Sequence, residues 1–198
     1  MIDPVIKEKC SELGFEKKKH LYAKSLTDDA WGLLYFSCAT YPGYREIGVH
    51  VMITFKSVEK LNCLLWNIPF GKWGYWVVSN NIGYLGPEAW YKEWEFKEDC
   101  DMYDIHRIVN KMFKYIKKYA LPFYDKMADI KAVIDLYEHN SRLIDRQRGK
   151  LTILPLLYLM EGEKQKGVDA INEVVNNGYR LSNEEQMFID NYMSYSLP

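Results

Sequence analysis

The sequence predicts an α+β fold: an antiparallel sheet of four or five strands, packed by an N-terminal helix and a long helix, then an all-helical C-terminal tail. Three stretches carry that prediction. From Tyr44 to Phe55, Ile47, Val49, Val51, Ile53 and Phe55 alternate with Glu46, Gly48, His50, Met52 and Thr54. Period two describes a strand with one face buried and the other partly wet. From Asp104 to Leu121, Ile105, Ile108, Val109, Met112, Phe113, Ile116 and Ala120 recur three or four apart. That spacing is one face of a helix, with Lys111, Lys114, Lys117 and Lys118 falling largely on the other side. Beyond it, Ser182 and Glu185 have the spacing of a capping box, which opens the last helix of a helical tail.

The remaining elements follow in chain order. Pro4 suits the first turn of a helix whose stripe is Val5, Ile6, Cys10 and Leu13, with Asp3 as a candidate cap and Gly14 as its end. Lys17 to Lys19 read as a solvated approach to a strand over His20 to Ser25. Trp31 to Thr40 is apolar or small on both alternating sides, so it is expected to be a central strand covered on two faces. Tyr41-Pro42-Gly43-Tyr44 is a turn joining it to the Tyr44–Phe55 strand as a hairpin. Ser57 can cap a short helix through Leu61, Leu64 and Leu65. Gly74 to Ser79 reads as a further strand, and a final strand is placed near Trp94 to Phe96. Asp101 or Asp104 caps the long helix, which Pro122 is expected to end. Four helices then begin near Asp129, Ile153, Val168 and Ser182, with Asn140 to Lys150 as an exposed connection. The division expected is a sheet domain over 1–124 and a helical tail over 125–198.

Composition narrows the functional classes. The 198 residues are 48% hydrophobic and 27% charged, with a formal net charge of -1. A chain of that make-up folds, and it lacks the global field that draws in nucleic acid or an anionic membrane. The four cysteines, Cys10, Cys38, Cys63 and Cys100, lie far apart and form no C-x-x-C pair. That argues against a disulfide framework or a zinc knuckle. No signal-peptide pattern or membrane-length apolar run is present, so the expected compartment is the cytoplasm.

No catalytic residue, cofactor or metal site is predicted. The histidines are scattered, and Cys100, Asp104 and His106, the nearest approach to a ligand group, read better as caps and turns at a helix start. There is no Gly-x-Ser-x-Gly elbow, and Cys38 inside an apolar strand should pack as a small hydrophobe. Gly71-Lys72-Trp73-Gly74 and Gly83-Tyr84-Leu85-Gly86 lack the glycine spacing and the ending of a phosphate loop. The acidic run Glu93, Glu95, Glu98 and Asp99 reads as a solvated strand end. Nucleic-acid binding through the helix lysines, or through Arg142, Arg146, Arg148 and Lys150, is disfavoured by the near-neutral total.

The strongest lead is aromatic. Trp66, Trp73, Tyr75, Trp76, Trp90, Tyr91 and Trp94 crowd one region of a chain that is 15% aromatic. An antiparallel sheet has little room for all of them, and Trp and Tyr left outside dominate binding hot spots. Trp66, Trp73, Tyr75, Trp76, Trp90 and Trp94 are therefore the candidate surface for a protein partner. The alternative is a Trp/Tyr-lined pocket for a small molecule or substrate around Glu46 and His50, which point the same way from one strand.

The order of motifs resembles a bacterial domain-of-unknown-function family. The shared features are a first helix ending in Leu13-Gly14-Phe15, a strand pair Trp31-Gly32-Leu33-Leu34-Tyr35-Phe36 and Ile47-Gly48-Val49-His50-Val51, and a long helix ending in Ala120-Leu121-Pro122-Phe123. The resemblance spans about Met1 to Ala132, and some proteins of similar build are suspected immunity or conflict-system partners. It implies a non-enzymatic binding role and transfers no functional residue. Leu156 to Val175 is similar to one tetratricopeptide-style helix pair, and a single copy is not an array.

Overall fold

Six strands pair into one antiparallel sheet: β1 (Glu16–Lys18), β2 (Leu21–Ser25), β3 (Ala30–Tyr41), β4 (Tyr44–Phe55), β5 (Val78–Asn81) and β6 (Glu93–Lys97). Neighbours run β1-β2-β3-β4-β5, and β6 also pairs with β4, Ile47 lying opposite Trp94 and Glu46 opposite Glu95. The computed structural model describes residues 2–71, 74–139, 141–144 and 146–196, without the Arg146 side chain. The α+β architecture is the one the sequence predicts, with one strand more. Glu16-Lys17-Lys18 has no apolar alternation of its own, and it becomes β1 because its backbone pairs with Leu21–Ala23.

The described chain falls into two compact units. The first joins residues 1–53 to 79–128, and the second joins 54–78 to 129–198. This differs from a division at 124/125: the helix after β4 and the loop behind it belong with the tail.

In the first unit, α1 (Ile2–Glu12) and α3 (Met102–Tyr115) pack together on one face of the sheet. Asp101 caps α3, its side chain accepting the Asp104 N–H at 2.8 Å. Ile105, Val109, Met112 and Phe113 are buried, and the Phe113 ring stacks on Phe36 of β3. Pro122 does not stop this helix. A π-helical turn, Ile116–Ala120, carries the chain into α4 (Leu121–Met127), with the Leu121 N–H bonded back to Ile116 O. The wider turn moves the carbonyls that a proline ring would strike, so Pro122 sits at the start of α4 without cost to the ladder. Tyr124 of α4 is fully buried, and its hydroxyl donates to Leu33 O at 2.6 Å, tying the helix to β3.

β3 is covered on both sides only over its first half. Ala30, Leu33 and Leu34 are buried, whereas Tyr35, Cys38, Thr40 and Tyr41 are exposed. Cys38 is thus not the packed small hydrophobe expected of it; Cys10 is, and burial pushes its thiol up to about 12. The β3–β4 turn at Pro42-Gly43 is as expected, with Gly43 at φ 83°.

The second unit is helical: α2 (Lys56–Leu65), α5 (Ile130–Glu138), α6 (Arg146–Arg148), α7 (Leu154–Met160), α8 (Lys164–Asn176) and α9 (Asn183–Ser194). Ser57 lies inside α2 rather than capping it; the cap position is Phe55, with no side-chain bond. Asp129 caps α5 by accepting the Lys131 N–H. The segment read as an exposed connection is helical from Arg146: α6 runs into a second π-helical turn, Gly149–Ile153, and Gly149 is buried. Pro155 follows in the first turn of α7, repeating the arrangement at Pro122. Asn140 and Asp145 lie outside the described residues. α7 packs against α8, and Tyr192 of α9 donates to Pro155 O at 3.1 Å. The capping box at α9 is complete: Ser182 Oγ accepts from Glu185 N at 3.1 Å, and the Glu185 carboxylate accepts from Ser182 N at 2.9 Å.

Among the described residues no helix is long and apolar enough to cross a membrane.

These buried hydroxyls give a direct check. Tyr124→Phe in the first unit and Tyr192→Phe in the second each remove a bond to a buried carbonyl, and each should cost about 1 kcal/mol in urea unfolding. Ser182→Ala should cost a similar ~1 kcal/mol. Unchanged unfolding midpoints would show that these contacts do not hold the units together.

Candidate functional site

The alternation that makes β4 also divides its chemistry. Ile47, Val49 and Val51 turn toward the helix-covered side and are buried. Tyr44, Glu46, Gly48 and His50 turn the other way, and Tyr44, Glu46 and His50 are partly exposed. On β6 the same rule puts Trp94 and Phe96 inside and leaves Glu93, Glu95 and Lys97 outside. On β3 it brings Tyr35 and Ser37 to the outward face.

Gly48 sits at the centre of this face, and only glycine fits there. A Cβ at that position would lie 2.7 Å from Ser37 Oγ and 3.1 Å from the Tyr91 hydroxyl. The missing side chain lets Ser37, Tyr91 and Asn81 close over Gly48, with His50 beside them. His50 Nε2 lies 3.3 Å from Ser37 Oγ and 3.5 Å from the Tyr91 hydroxyl. Tyr91 comes from the segment before β6, where Asn81 holds the backbone. The Asn81 side chain, itself buried, accepts from Lys92 N at 2.9 Å and donates to Lys92 O at 3.0 Å.

Rings extend from this cluster along the sheet. His20 meets Tyr35 at 6.0 Å between centroids, Tyr35 meets His50 at 5.8 Å, and His50 meets Tyr91 at 6.1 Å. Tyr41 and Tyr44 stack at 4.9 Å near the hairpin turn. Such pairs hold one another in place by about 0.5–1.5 kcal/mol each beyond their buried area. Tyr35 remains 37% exposed and Tyr91 46% exposed, so the ladder is anchored on β3 and β4 and open to solvent.

Partial burial lowers the His50 pKa below its ordinary value, keeping the ring neutral at pH 7. Beside it, Glu93 lies within hydrogen-bonding reach of Glu46. Desolvation and then the Glu46 carboxylate raise the Glu93 carboxyl above its ordinary range.

What can this arrangement do? Ser37 and His50 resemble the first two members of a nucleophilic relay. The Ser37 hydroxyl, however, also reaches Gly48 O at 3.3 Å, and no carboxylate orients His50 among the described residues. An activated serine needs a base held in one tautomer by a third group. The outer edge of this cluster, the Tyr91 hydroxyl and the His50 imidazole, can instead exchange hydrogen bonds with something laid on it. Among the described residues no group of three or more His, Cys, Asp and Glu is placed to hold a metal ion.

A cleft of about 550 Å³ lies at the hairpin end, lined by Ile6, Phe36, Cys38, Arg45, Ile47 and Phe96 among others. Those residues alternate away from His50 and Glu46, which do not line it.

The tryptophans expected to form one patch do not share a unit. Trp66 and Tyr75 with Trp76 belong to the second unit, Trp90 and Trp94 to the first. Trp73 lies outside the described residues. Trp66 stacks on Phe188 at 5.0 Å. Tyr75 has its hydroxyl buried without a hydrogen-bond partner among the described residues, and burial raises its pKa well above the ordinary value. Trp94 is only 9% exposed and packs on Tyr115, so it is a core ring and not a surface one. Trp76 and Trp90 are exposed, Trp90 at 63%. Sequence reasoning missed Tyr35 and Ser37, although their odd spacing on β3 marks one face. Tyr91 was weighed only as one ring in the crowd, because its approach to His50 spans 41 positions.

The His50 environment predicts a measurable titration. Followed by NMR, the His50 imidazole should take up its proton below pH 6.5, the ordinary value. Because the unfolded chain binds that proton more readily, acidification through this range should lower stability, and raising the pH should restore it. A His50 titration at or above the ordinary value would contradict the burial described. Comparison with protein-family models, with curated proteins and with solved structures finds no match to this chain.

Proposed function

We propose that the chain is a non-enzymatic binding protein that recognises a protein partner through the open face of its sheet. The observation that carries this reading is the ladder His20–Tyr35–His50–Tyr91. Tyr35 and His50 stand on paired strands, His20 and Tyr91 meet them edge to face from the flanking segments, and His20, Tyr35 and Tyr91 are each more than a third exposed. Rigid aromatic side chains bind with little loss of conformational entropy, which is why they concentrate at recognition surfaces. Trp90, next to Tyr91 and more exposed still, extends the same offer.

The resemblance of the motif order to suspected immunity proteins supports the same class, binding without turnover. All four cysteines are free, which supports action in a reducing compartment such as the cytoplasm.

The test is capture with paired variants. The wild-type chain should retain a protein from extracts of its native host, and Tyr35→Ala with Tyr91→Ala should lose it. The variant loses the three ring pairs of the ladder, so its melting temperature should fall by several degrees while its circular dichroism at about 25 °C stays that of the folded wild type. Equal recovery by wild type and variant would remove the sheet face from the account.

A further inference from the structure

We infer that the segment this face recognises is cationic, a stretch of the partner that presents arginine or lysine side chains to the rings and to Glu46, Glu93 and Glu95. The inference rests on the sheet-face reading above and supplies the chemistry of the occupant.

Two features point the same way. The first is charge. The outward positions of β4 and β6 include Glu46, Glu93 and Glu95, with Glu46 directly opposite Glu95 and Glu93 opposite Gly48. None of the three has an ion-pair partner among the described residues. The cation that alternation adds to these positions is Lys97, at the far end beside Tyr44, where it borders the hairpin cleft. His50 is neutral at pH 7 and offsets nothing. The negative charge is therefore local, in a chain whose formal total is only -1. Like charges opposite one another weaken a sheet, and desolvation, then the neighbouring Glu46 carboxylate, raises the Glu93 pKa. A cation placed between them relieves that repulsion.

The second feature is the rings. Tyr91, two residues before Glu93, and Tyr35, across His50 from it, expose aromatic surface on the same face, and the ring quadrupole attracts ammonium and guanidinium groups within about 6 Å. A guanidinium can stack on a tyrosine while its fork meets a carboxylate, which combines both features in one side chain. Nucleic acid is repelled by the same surface, since its phosphates would meet the glutamates.

The experiment uses the full isotope-labelled chain and a synthetic peptide of alternating arginine and glycine as the probe. A peptide of alternating glutamate and glycine is the control. The arginine peptide should shift the signals of Tyr35, His50, Tyr91 and β6, lower the Glu93 titration toward its ordinary value, and bind more weakly as salt is raised. The variant carrying Glu46→Gln, Glu93→Gln and Glu95→Gln should lose roughly tenfold or more in affinity, with its circular dichroism unchanged. Equal binding of the acidic peptide, equal binding by the triple variant, shifts confined to other surfaces, or no shift at millimolar peptide would overturn the inference. Failure here is separable from failure of the parent reading. If the host protein is released by the Tyr35→Ala and Tyr91→Ala changes but retained by the triple glutamine variant, the face stands and its cationic occupant falls.

Discussion

The strict alternation of β4 is the constraint from which most of the first unit follows. Val49 and Val51 are buried on one side, and Glu46 and His50 meet solvent on the other. A shift of one residue in its pairing would turn every one of these side chains through the sheet. β6 obeys the same register: Ile47 faces Trp94 inside, and Glu46 faces Glu95 outside. The helical layer of α1 and α3 and the open aromatic face are two consequences of one pattern. Gly48 adds what alternation alone cannot, a gap in the outward row into which Ser37, His50 and Tyr91 converge.

The two π-helical turns are the second organising device. Each stands just before a proline, Pro122 in one unit and Pro155 in the other. Each lets a helical path continue where an α-helical ladder would clash with the ring. In the first unit the result delivers Tyr124 to β3, where its buried hydroxyl meets Leu33 O. In the second it delivers Pro155 to the neighbourhood of Tyr192.

Much of this was legible from local pattern. The β4 alternation, the α3 stripe, the Pro42-Gly43 turn and the Ser182/Glu185 box each depend on residues within a few positions of one another. What was not legible depends on distant partners. β1 exists because β2 is beside it, and no periodicity in Glu16-Lys17-Lys18 announces that. Pro122 reads as a stop because the turn that accommodates it is a property of the backbone around it. The tryptophans between Trp66 and Trp94 are close in sequence, yet the chain passes from the second unit to the first between Val78 and Ser79. Nearness along the chain therefore said little about a shared surface. The site that does form uses Tyr35 and Tyr91, whose meeting with His50 only the folded sheet creates.

The account stands on the sheet having one covered face and, beside the Tyr44–His50 part of β4, an opposite face left open with its rings. Hydroxyl-radical footprinting of the free protein, read by mass spectrometry, tests this most directly. Tyr35, Trp90 and Tyr91 should oxidise rapidly, while Phe15, Trp94, Phe96 and Phe113 stay protected. Protection of Tyr35 and Tyr91 equal to that of Trp94 would mean that the ladder is buried, and the open face would not exist.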